Sequence, residues 1–251
     1  MPLVLTESSG AVGTVTLNRA ERRNALNAEL LAGLLEAFQA PPPDTERATV
    51  LRANGPVFCA GLDLKERSSG QLSSASFEEV LEAMEAYPLP IVGVVQGDAI
   101  AGGNELALHC DFVVASTRAS FGMSLAKIGL APSWFLAKKL LEVAGPVTTR
   151  EILLLGEPLP ATRMHQLGVI ARVAPPHLLD QEVETITDRL AKNAPLSLRA
   201  MKALLVREMQ FRGEIEHQDV DALVAEAGQS EDAREGIAAL FERRAADFKG
   251  R

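Results

Sequence analysis

The sequence is poor in the residues that build disulfide frameworks and metal centres. Its 251 residues include only two cysteines, Cys59 and Cys110, and four histidines that are scattered along the chain. Two cysteines among apolar neighbours are typical of buried packing residues in a reducing compartment, and no group of histidines has the spacing of metal ligands. The sequence therefore predicts neither a disulfide scaffold nor a metal site.

Long hydrophobic runs and an excess of positive charge are also missing. No apolar run reaches the length that crosses a membrane, and the first residues contain no basic segment followed by an apolar one. The formal net charge of −8 argues against a surface for nucleic acid or anionic membranes. We therefore expect a cytoplasmic protein that has neither nucleic acid nor a membrane as a partner.

What the sequence does contain is a hydrophobic content of 47% and an alternation of strand and helix patterns. A chain of this length can bury a sizeable core. Short β-branched runs alternate with helical patterns as far as residue 178, and helical patterns then continue almost to the end. This order predicts an α/β core followed by a helical C-terminal region.

Two helix starts can be predicted from their capping residues. Asn27 precedes a helix with apolar residues on one face, and Ser76 with Glu79 forms a capping box before a second helix. A short strand, residues 48–51, lies between the two helices. The serine-rich residues 68–76 have little to bury, and they predict a mobile loop before the second helix.

The stretch from residue 91 to residue 108 carries a chemical signal of its own. Its β-branched run predicts a buried strand, and a helix begins near Gly102 and Gly103. The first amides of a helix have no partner within it, and glycine lets a ligand approach them closely. Such amides can stabilise an oxyanion on a bound carbonyl, while Glu105 can transfer a proton nearby. A purely structural interpretation stays open here, because a glutamate in a first helical turn often only complements the helix dipole.

Three segments carry a resemblance to a known family. Residues 17–26, 58–64 and 97–106 resemble the N-terminal signature and the two active-site segments of the crotonase family, also called the enoyl-CoA hydratase/isomerase family. Shorter matches follow in the expected order, at residues 121–122, 128–130, 167–170 and 241–244. The resemblance therefore runs almost from end to end.

The resemblance implies a crotonase-type fold, which is a spiral of β-β-α turns, and an acyl-CoA thioester as the substrate. Residues 1–194 would form the spiral α/β core with the acyl-CoA site. Residues 195–251 would form a helical oligomerisation region in a homotrimer or a dimer of trimers. No separate cofactor is implied, since coenzyme A is part of the substrate.

The resemblance also implies the site residues. The backbone amides of Leu62 and Gly102 correspond to the oxyanion hole of the family, and Glu105 corresponds to a catalytic glutamate. The further residues expected to contact the substrate are Ala60, Gly61, Asp63, Leu64, Gly103, Leu125, Trp134 and Arg243. Arg243 corresponds to a basic residue that reaches the nucleotide part of coenzyme A, and a solvated helix charge is the alternative.

Two departures from the family pattern leave the reaction open. Hydratases carry a second glutamate where this sequence has Leu125, and leucine cannot transfer a proton. Residues 131–134 resemble instead a mitochondrial-type Δ3,Δ2-enoyl-CoA isomerase. Such isomerases, however, keep the carboxylate at the position of Leu125 and lack the one at the position of Glu105. Hydration of 2-enoyl-CoA to 3-hydroxyacyl-CoA is the leading prediction, because Glu105 matches the residue that handles the attacking water. The alternatives are an isomerase that uses a single glutamate and a catalytically weak homologue that binds coenzyme A.

Overall fold

The computed structural model describes residues 2–69, 74–209 and 215–251. The strands are β1 (Val4–Ser9), β2 (Val12–Leu17), β3 (Ala48–Ala53), β4 (Ile91–Val95), β5 (Ala99–Ile100), β6 (Phe112–Ser116), β7 (Ser120–Gly122), β8 (Leu159–Pro160) and β9 (Arg172–Ala174). The helices are α1 (Ala28–Gln39), α2 (Leu64–Ser68), α3 (Ser74–Ala86), α4 (Gly102–Leu108), α5 (Trp134–Arg150), α6 (Ala161–Gln166), α7 (Leu179–Lys192), α8 (Pro195–Met209), α9 (Gln218–Gln229) and α10 (Glu231–Glu242). Strands mix with helices up to β9, and helices alone follow, which confirms the predicted α/β class with a helical C-terminal region.

The strands form a six-stranded sheet and a smaller three-stranded sheet. β1 and β2 form an antiparallel hairpin, and the large sheet continues in parallel through β3, β4, β6 and β9. Every residue of β4 is buried, because the sheet is covered on both faces. Val92 and Val94 pack against α7, whereas Ile91 and Val95 belong to the main core.

The capping prediction is correct for one helix and wrong for the other. Asn27 caps α1, and its side chain accepts a hydrogen bond from the amide of Leu30. The second helix, α3, begins at Ser74, so Ser76 lies inside the helix and cannot be its cap. Residues 70–73 of the predicted serine-rich loop lie outside the described residues.

Helix α10 packs against the α/β core. A Cβ built on Gly236 would lie 2.5 Å from the carbonyl carbon of Ile128, so α10 touches the backbone of the turn Ser124–Ile128. α8 exposes several apolar side chains, namely Leu196, Met201, Leu204, Leu205 and Met209. A trimer contact through residues 195–251 stays a prediction. Within the described ranges, no helix is long and apolar enough to span a bilayer.

Candidate active site

A cavity with a volume of about 360 Å³ lies where two of the matched sequence segments meet. The cavity is closed by α3, by the turn Ser124–Ile128, by the start of α5 and by α10. Its lining residues are Ala60, Leu62, Leu64, Arg67, Phe77, Glu78, Ile100, Ala101, Gly102, Met123, Ser124, Leu125, Lys127, Ile128, Leu130, Ala131, Pro132, Ser133, Leu136 and Leu240. A mainly apolar cavity with a few polar groups is the usual form of a small-molecule site.

The backbone amide of Leu62 has no hydrogen-bond acceptor among the described residues, because the bridge to Leu26 uses only the groups on either side of it. Leu62 lies opposite Leu26 in a parallel bridge. The amide of Leu26 donates to the carbonyl of Gly61 at 2.8 Å, and the amide of Asp63 donates to the carbonyl of Leu26 at 2.8 Å. The N–H of the central residue in such a bridge points to the other side. No acceptor for the Leu62 amide is found among the described residues.

The amide of Gly102 lies beside that of Leu62. A Cβ built on Gly102 would lie 3.4 Å from the amide nitrogen of Leu62, and one built on Gly61 would lie 3.1 Å from the amide nitrogen of Gly102. Gly102 is the first residue of α4, so its amide has no acceptor within the helix. The rest of the described chain supplies no acceptor either. Two adjacent unpaired amides can donate to the same ligand oxygen.

Backbone strain at Ala101 orients the start of α4. Ala101 has a φ of 50° and a ψ of −119°, a conformation that residues with a side chain rarely adopt. Its amide donates to the carbonyl of Gly122 at 2.7 Å, which holds the turn in place. Strain of this kind costs on the order of 1–3 kcal/mol and is concentrated at functional sites. The strained turn directs the first amides of α4 toward the cavity.

Glu105 lies in the first turn of α4 and is completely buried. Neither of its carboxyl oxygens has a hydrogen-bond partner in the described part of the chain, and Glu105 is absent from the cavity wall. Burial raises the pKa of Glu105 to about 8, although the positive charge of Lys139 offsets part of the effect. The carboxyl group therefore carries its proton at neutral pH. It can reach a ligand in the cavity only by a change of rotamer or through a bridging water.

A buried histidine and an ion pair lie behind Glu105. Nδ1 of His109 lies 2.7 Å from the carbonyl oxygen of Glu105. Burial lowers the pKa of His109 to about 3, so its ring is neutral and Nδ1 carries the hydrogen that this carbonyl accepts. Glu85 accepts a hydrogen bond from Lys139 at 2.8 Å and lies 3.8 Å from Nε2 of His109. This group of residues holds α4 against α3 and α5.

Some of the predicted substrate contacts lie on the cavity wall. Ala60, Leu64 and Leu125 line the cavity together with Leu62 and Gly102. The side chain of Leu125 makes its part of the wall apolar at the position where hydratases of the family carry a glutamate. The structure therefore brings five of the predicted site residues together around one space.

Gly61, Asp63 and Gly103 support this wall from behind and do not line the cavity. Asp63 forms an ion pair with Arg19 at 2.9 Å, and it also caps α2. A Cβ built on Gly103 would lie 2.1 Å from the carbonyl oxygen of Cys59. The two matched segments can therefore touch only if residue 103 is a glycine.

Trp134 and Arg243 lie away from the cavity wall. Trp134 is the first residue of α5, and its ring stacks on His217 with the ring centroids 4.6 Å apart. Ser133 and Leu136, from the same helix start, line the cavity in its place. Arg243 is exposed and ends α10 in a left-handed conformation with a φ of 56°.

Five polar residues of the wall were not among the predicted site residues: Arg67, Glu78, Ser124, Lys127 and Ser133. The hydroxyl of Ser133 donates to Oε1 of Glu78 at 2.5 Å. The side chain of Arg67 makes no hydrogen bond or ion pair with the described residues, and burial lowers its pKa. Glu78 and Ser133 are 55 positions apart, so only the packing of α3 beside α5 brings them together.

Comparisons with known proteins extend over the whole chain. A family model for enoyl-CoA hydratase/isomerase matches residues 7–251. The chain is 32% identical over 244 residues to the 2,3-dehydroadipyl-CoA hydratase of Escherichia coli (strain K12), with 94% of each chain covered. It is 30% identical over 271 residues to the 1,2-epoxyphenylacetyl-CoA isomerase of the same organism, with 100% of each covered.

The fold is similar to that of solved members of this family. An enoyl-CoA hydratase from Mycobacterium avium subsp. paratuberculosis K-10 superposes with a TM-score of 0.85 at 26% identity, and 98% of each chain is covered. The similarity includes both the α/β core and the helical C-terminal region. It confirms the crotonase-type fold predicted from the sequence.

Proposed function

The chain belongs to the enoyl-CoA hydratase/isomerase family, and from this premise we propose that it hydrates a 2-enoyl-CoA ester to a 3-hydroxyacyl-CoA. The observation that carries the proposal is the pair of adjacent, unpaired amides of Leu62 and Gly102 at the wall of an apolar cavity. Addition of water to a double bond conjugated with a thioester moves negative charge onto the thioester oxygen. Two amide donors aimed at that oxygen stabilise the charge as it develops.

Glu105 is the proton donor of this proposal. Its buried carboxyl group belongs to the same first turn of α4 as the amide of Gly102, and it is protonated at neutral pH because burial raises its pKa to about 8. A protonated carboxyl group donates a proton to C2 of the enolate and cannot accept one from water. We therefore assign Glu105 the acid role, whereas the family resemblance predicts that it handles the attacking water.

Isomerisation of a 3-enoyl-CoA to a 2-enoyl-CoA is the second candidate. It is favoured by Leu125, whose side chain lines the cavity where a second carboxylate would be expected. Isomerisation moves one proton between C2 and C4, so a single carboxyl group is sufficient. The enolate that forms on the way needs the same two amides.

The two reactions can be separated by incubating the protein with 2-enoyl-CoA and 3-enoyl-CoA esters of several chain lengths. Products are identified by chromatography and mass, and a saturated acyl-CoA serves as the unreactive control. We expect 2-enoyl-CoA to gain one water and to give the 3-hydroxyacyl-CoA. Conversion of the 3-enoyl ester without hydration would favour isomerisation, and no conversion of either ester would contradict both reactions.

A further inference from the structure

One carboxylate on the cavity wall has no role in the family pattern. Glu78 lies on α3 and, of the described residues that line the cavity, it alone carries a carboxylate. An apolar environment penalises a charged group that lacks partners. A carboxylate kept at such a place therefore needs local stabilisation, and its presence indicates a task in the cavity.

Ser133 holds Glu78 in a defined orientation. The oxygen of Ser133 caps α5 and accepts a hydrogen bond from the amide of Leu136 at 3.4 Å. Its single hydrogen is therefore available for Oε1 of Glu78, which lies 2.5 Å away. Oε2 of Glu78 accepts no hydrogen bond from the described residues, so it is available to a ligand or a water in the cavity.

The positively charged side chain of Arg67 also lines the cavity. Arg67 is not paired with any described residue, and burial lowers its pKa. The cavity therefore offers a carboxylate oriented by a hydroxyl group and an unpaired cation. The apolar side chain of Leu125 provides neither a carboxylate nor a positive charge.

We propose that Glu78 is the base that takes a proton from the attacking water, and that it supplies the second carboxyl group, which hydratases of the family carry at the position of Leu125. The proposal rests on the proposed hydration and identifies the second group that syn addition of water requires. Ser133 is a positioning residue in this account, because it acts through Glu78.

The proton transfers of the proposed step involve only Glu78, Glu105 and water. As the water oxygen bonds to C3, one O–H bond breaks and its proton passes to Oε2 of Glu78. The π electrons of the C2–C3 bond move onto the thioester oxygen, which the amides of Leu62 and Gly102 hold. The enolate then takes a proton at C2 from the carboxyl group of Glu105, either after a change of rotamer or through a bridging water. Return of one proton from Glu78 to Glu105 through water restores both groups, and the net change is the addition of one water.

The test compares the hydration kinetics of the variant Glu78→Gln with those of Glu79→Gln, a substitution on the same helix. Glu79 is exposed and does not line the cavity. We expect Glu78→Gln to lower kcat for hydration about 100-fold or more, with KM changed less than about threefold, because glutamine fills the same space but cannot accept the proton. Glu79→Gln should leave both constants unchanged. A Glu78→Gln variant that hydrates at the wild-type rate would overturn the proposal while the proposed function stands.

A binding measurement tests the same contact without turnover. Calorimetry compares the affinities of 3-hydroxybutyryl-CoA and butyryl-CoA. The two esters differ only in the 3-hydroxyl group, which would donate a hydrogen bond to Glu78. We expect the wild type to bind the hydroxy ester about tenfold more tightly, and Glu78→Leu to remove this preference. If the wild type hydrates no enoyl-CoA, the proposed function fails and the base role fails with it. The binding preference then decides alone whether Glu78 contacts the acyl chain, and equal affinities in the wild type would overturn that contact.

Discussion

The two sides of the cavity present different kinds of groups to a ligand: backbone amides on one side and side chains on the other. We call Ala60, Leu62, Ala101 and Gly102 the amide wall, and Glu78, Leu125, Ser133 and Leu136 the helical wall. The amide wall presents backbone N–H groups, which are fixed by a parallel bridge and by a strained turn. The helical wall presents side chains from α3, from the turn Ser124–Ile128 and from α5. The wall to which we assign the thioester is therefore set by backbone geometry, whereas the wall to which we assign the acyl chain can change with single substitutions.

This difference explains how the chain can lack one family glutamate and keep the rest of the site. Replacement of a glutamate by Leu125 leaves the bridge at Leu62 and the start of α4 intact, because no backbone contact of the amide wall depends on that side chain. A new carboxylate on α3 can then enter the same space. Substitutions on the two walls should accordingly have different effects.

The largest loss of activity is expected from Gly102→Ala, which adds a methyl group to the amide wall. In Gly102→Ala, the new Cβ would lie 3.3 Å from Cδ1 of Leu26, a flexible side-chain end, so the fold should survive. The same methyl group lies 3.4 Å from the nitrogen of Leu62, where the thioester oxygen would bind. We expect kcat/KM to fall about 100- to 1,000-fold, as when an oxyanion donor is lost, while the melting temperature changes little.

The neighbouring glycine provides a matched contrast. In Gly103→Ala, the new Cβ would lie 2.1 Å from the carbonyl oxygen of Cys59, so the two segments must move apart. We expect a loss of folding stability on the order of 3 kcal/mol, measured by denaturant unfolding. Near-normal turnover in Gly102→Ala would remove its amide from the proposed oxyanion hole, and a fully stable Gly103→Ala would contradict the close contact.

A smaller effect is expected on the helical wall from Ser133→Ala. The substitution removes the cap of α5 and the hydrogen bond to Glu78, so it should lower both stability and turnover. Ser230→Ala removes the cap of α10 and serves as the control, because Ser230 does not line the cavity. Each variant should lose about 1 kcal/mol of stability. Only Ser133→Ala should also lose about tenfold in kcat, and Ser133→Thr should restore it.

The smallest effect is a change in the pH dependence of stability. The folded pKa of Glu105, about 8, lies above its ordinary value of 4.5, so its favourable contribution is complete below pH 4.5 and is lost as the pH rises through 8. His109 has the opposite sign: its pKa is lowered from 6.5 to about 3, so its contribution is complete above pH 6.5 and is lost in acid. Between pH 6.5 and pH 8, the contribution of His109 to the free energy of unfolding is therefore constant, whereas the contribution of Glu105 decreases as the pH rises.

The free energy of unfolding, measured by urea titration at several pH values, should fall in the wild type across that interval. Glu105→Gln should remove on the order of 1 kcal/mol of this fall, and the surface variant Glu79→Gln should not change it. An unchanged slope in Glu105→Gln would mean that the carboxyl group of Glu105 is already ionised at neutral pH.

The Gly102 side of the amide wall could be predicted from the sequence because its signals are local. Leu62 is identified only through the family resemblance, since its bridge to Leu26 joins two distant segments. A β-branched run followed by Gly102 and Gly103 predicts a strand, a turn and a helix start, and these are the elements that position the amide. Asn27 is likewise read from its own neighbourhood as the cap of α1, and the structure confirms it.

The helical wall could not be predicted in the same way. The hydrogen-bond partner of Glu78 is Ser133, which lies 55 positions away in the sequence, so the contact depends on how α3 packs beside α5. The apparent capping box of Ser76 and Glu79 also misplaced the start of α3, which begins at Ser74. The position of Trp134 could not be foreseen either, because its stacking partner, His217, comes from the C-terminal region.

The proposed chemistry requires above all that the amides of Leu62 and Gly102 hold the thioester oxygen, and isotope-edited infrared spectroscopy tests this directly. Butyryl-CoA labelled with ¹³C at the thioester carbonyl has no double bond to hydrate, so its carbonyl stretch can be recorded in the bound state. We predict that binding to the wild type lowers the stretching frequency below that of the free ester in water, since two preorganised donors polarise the carbonyl more strongly than water does. In Gly102→Ala the shift should be lost even at saturating ligand. A bound ester whose carbonyl absorbs at the same frequency in water, in the wild type and in Gly102→Ala would contradict the oxyanion hole.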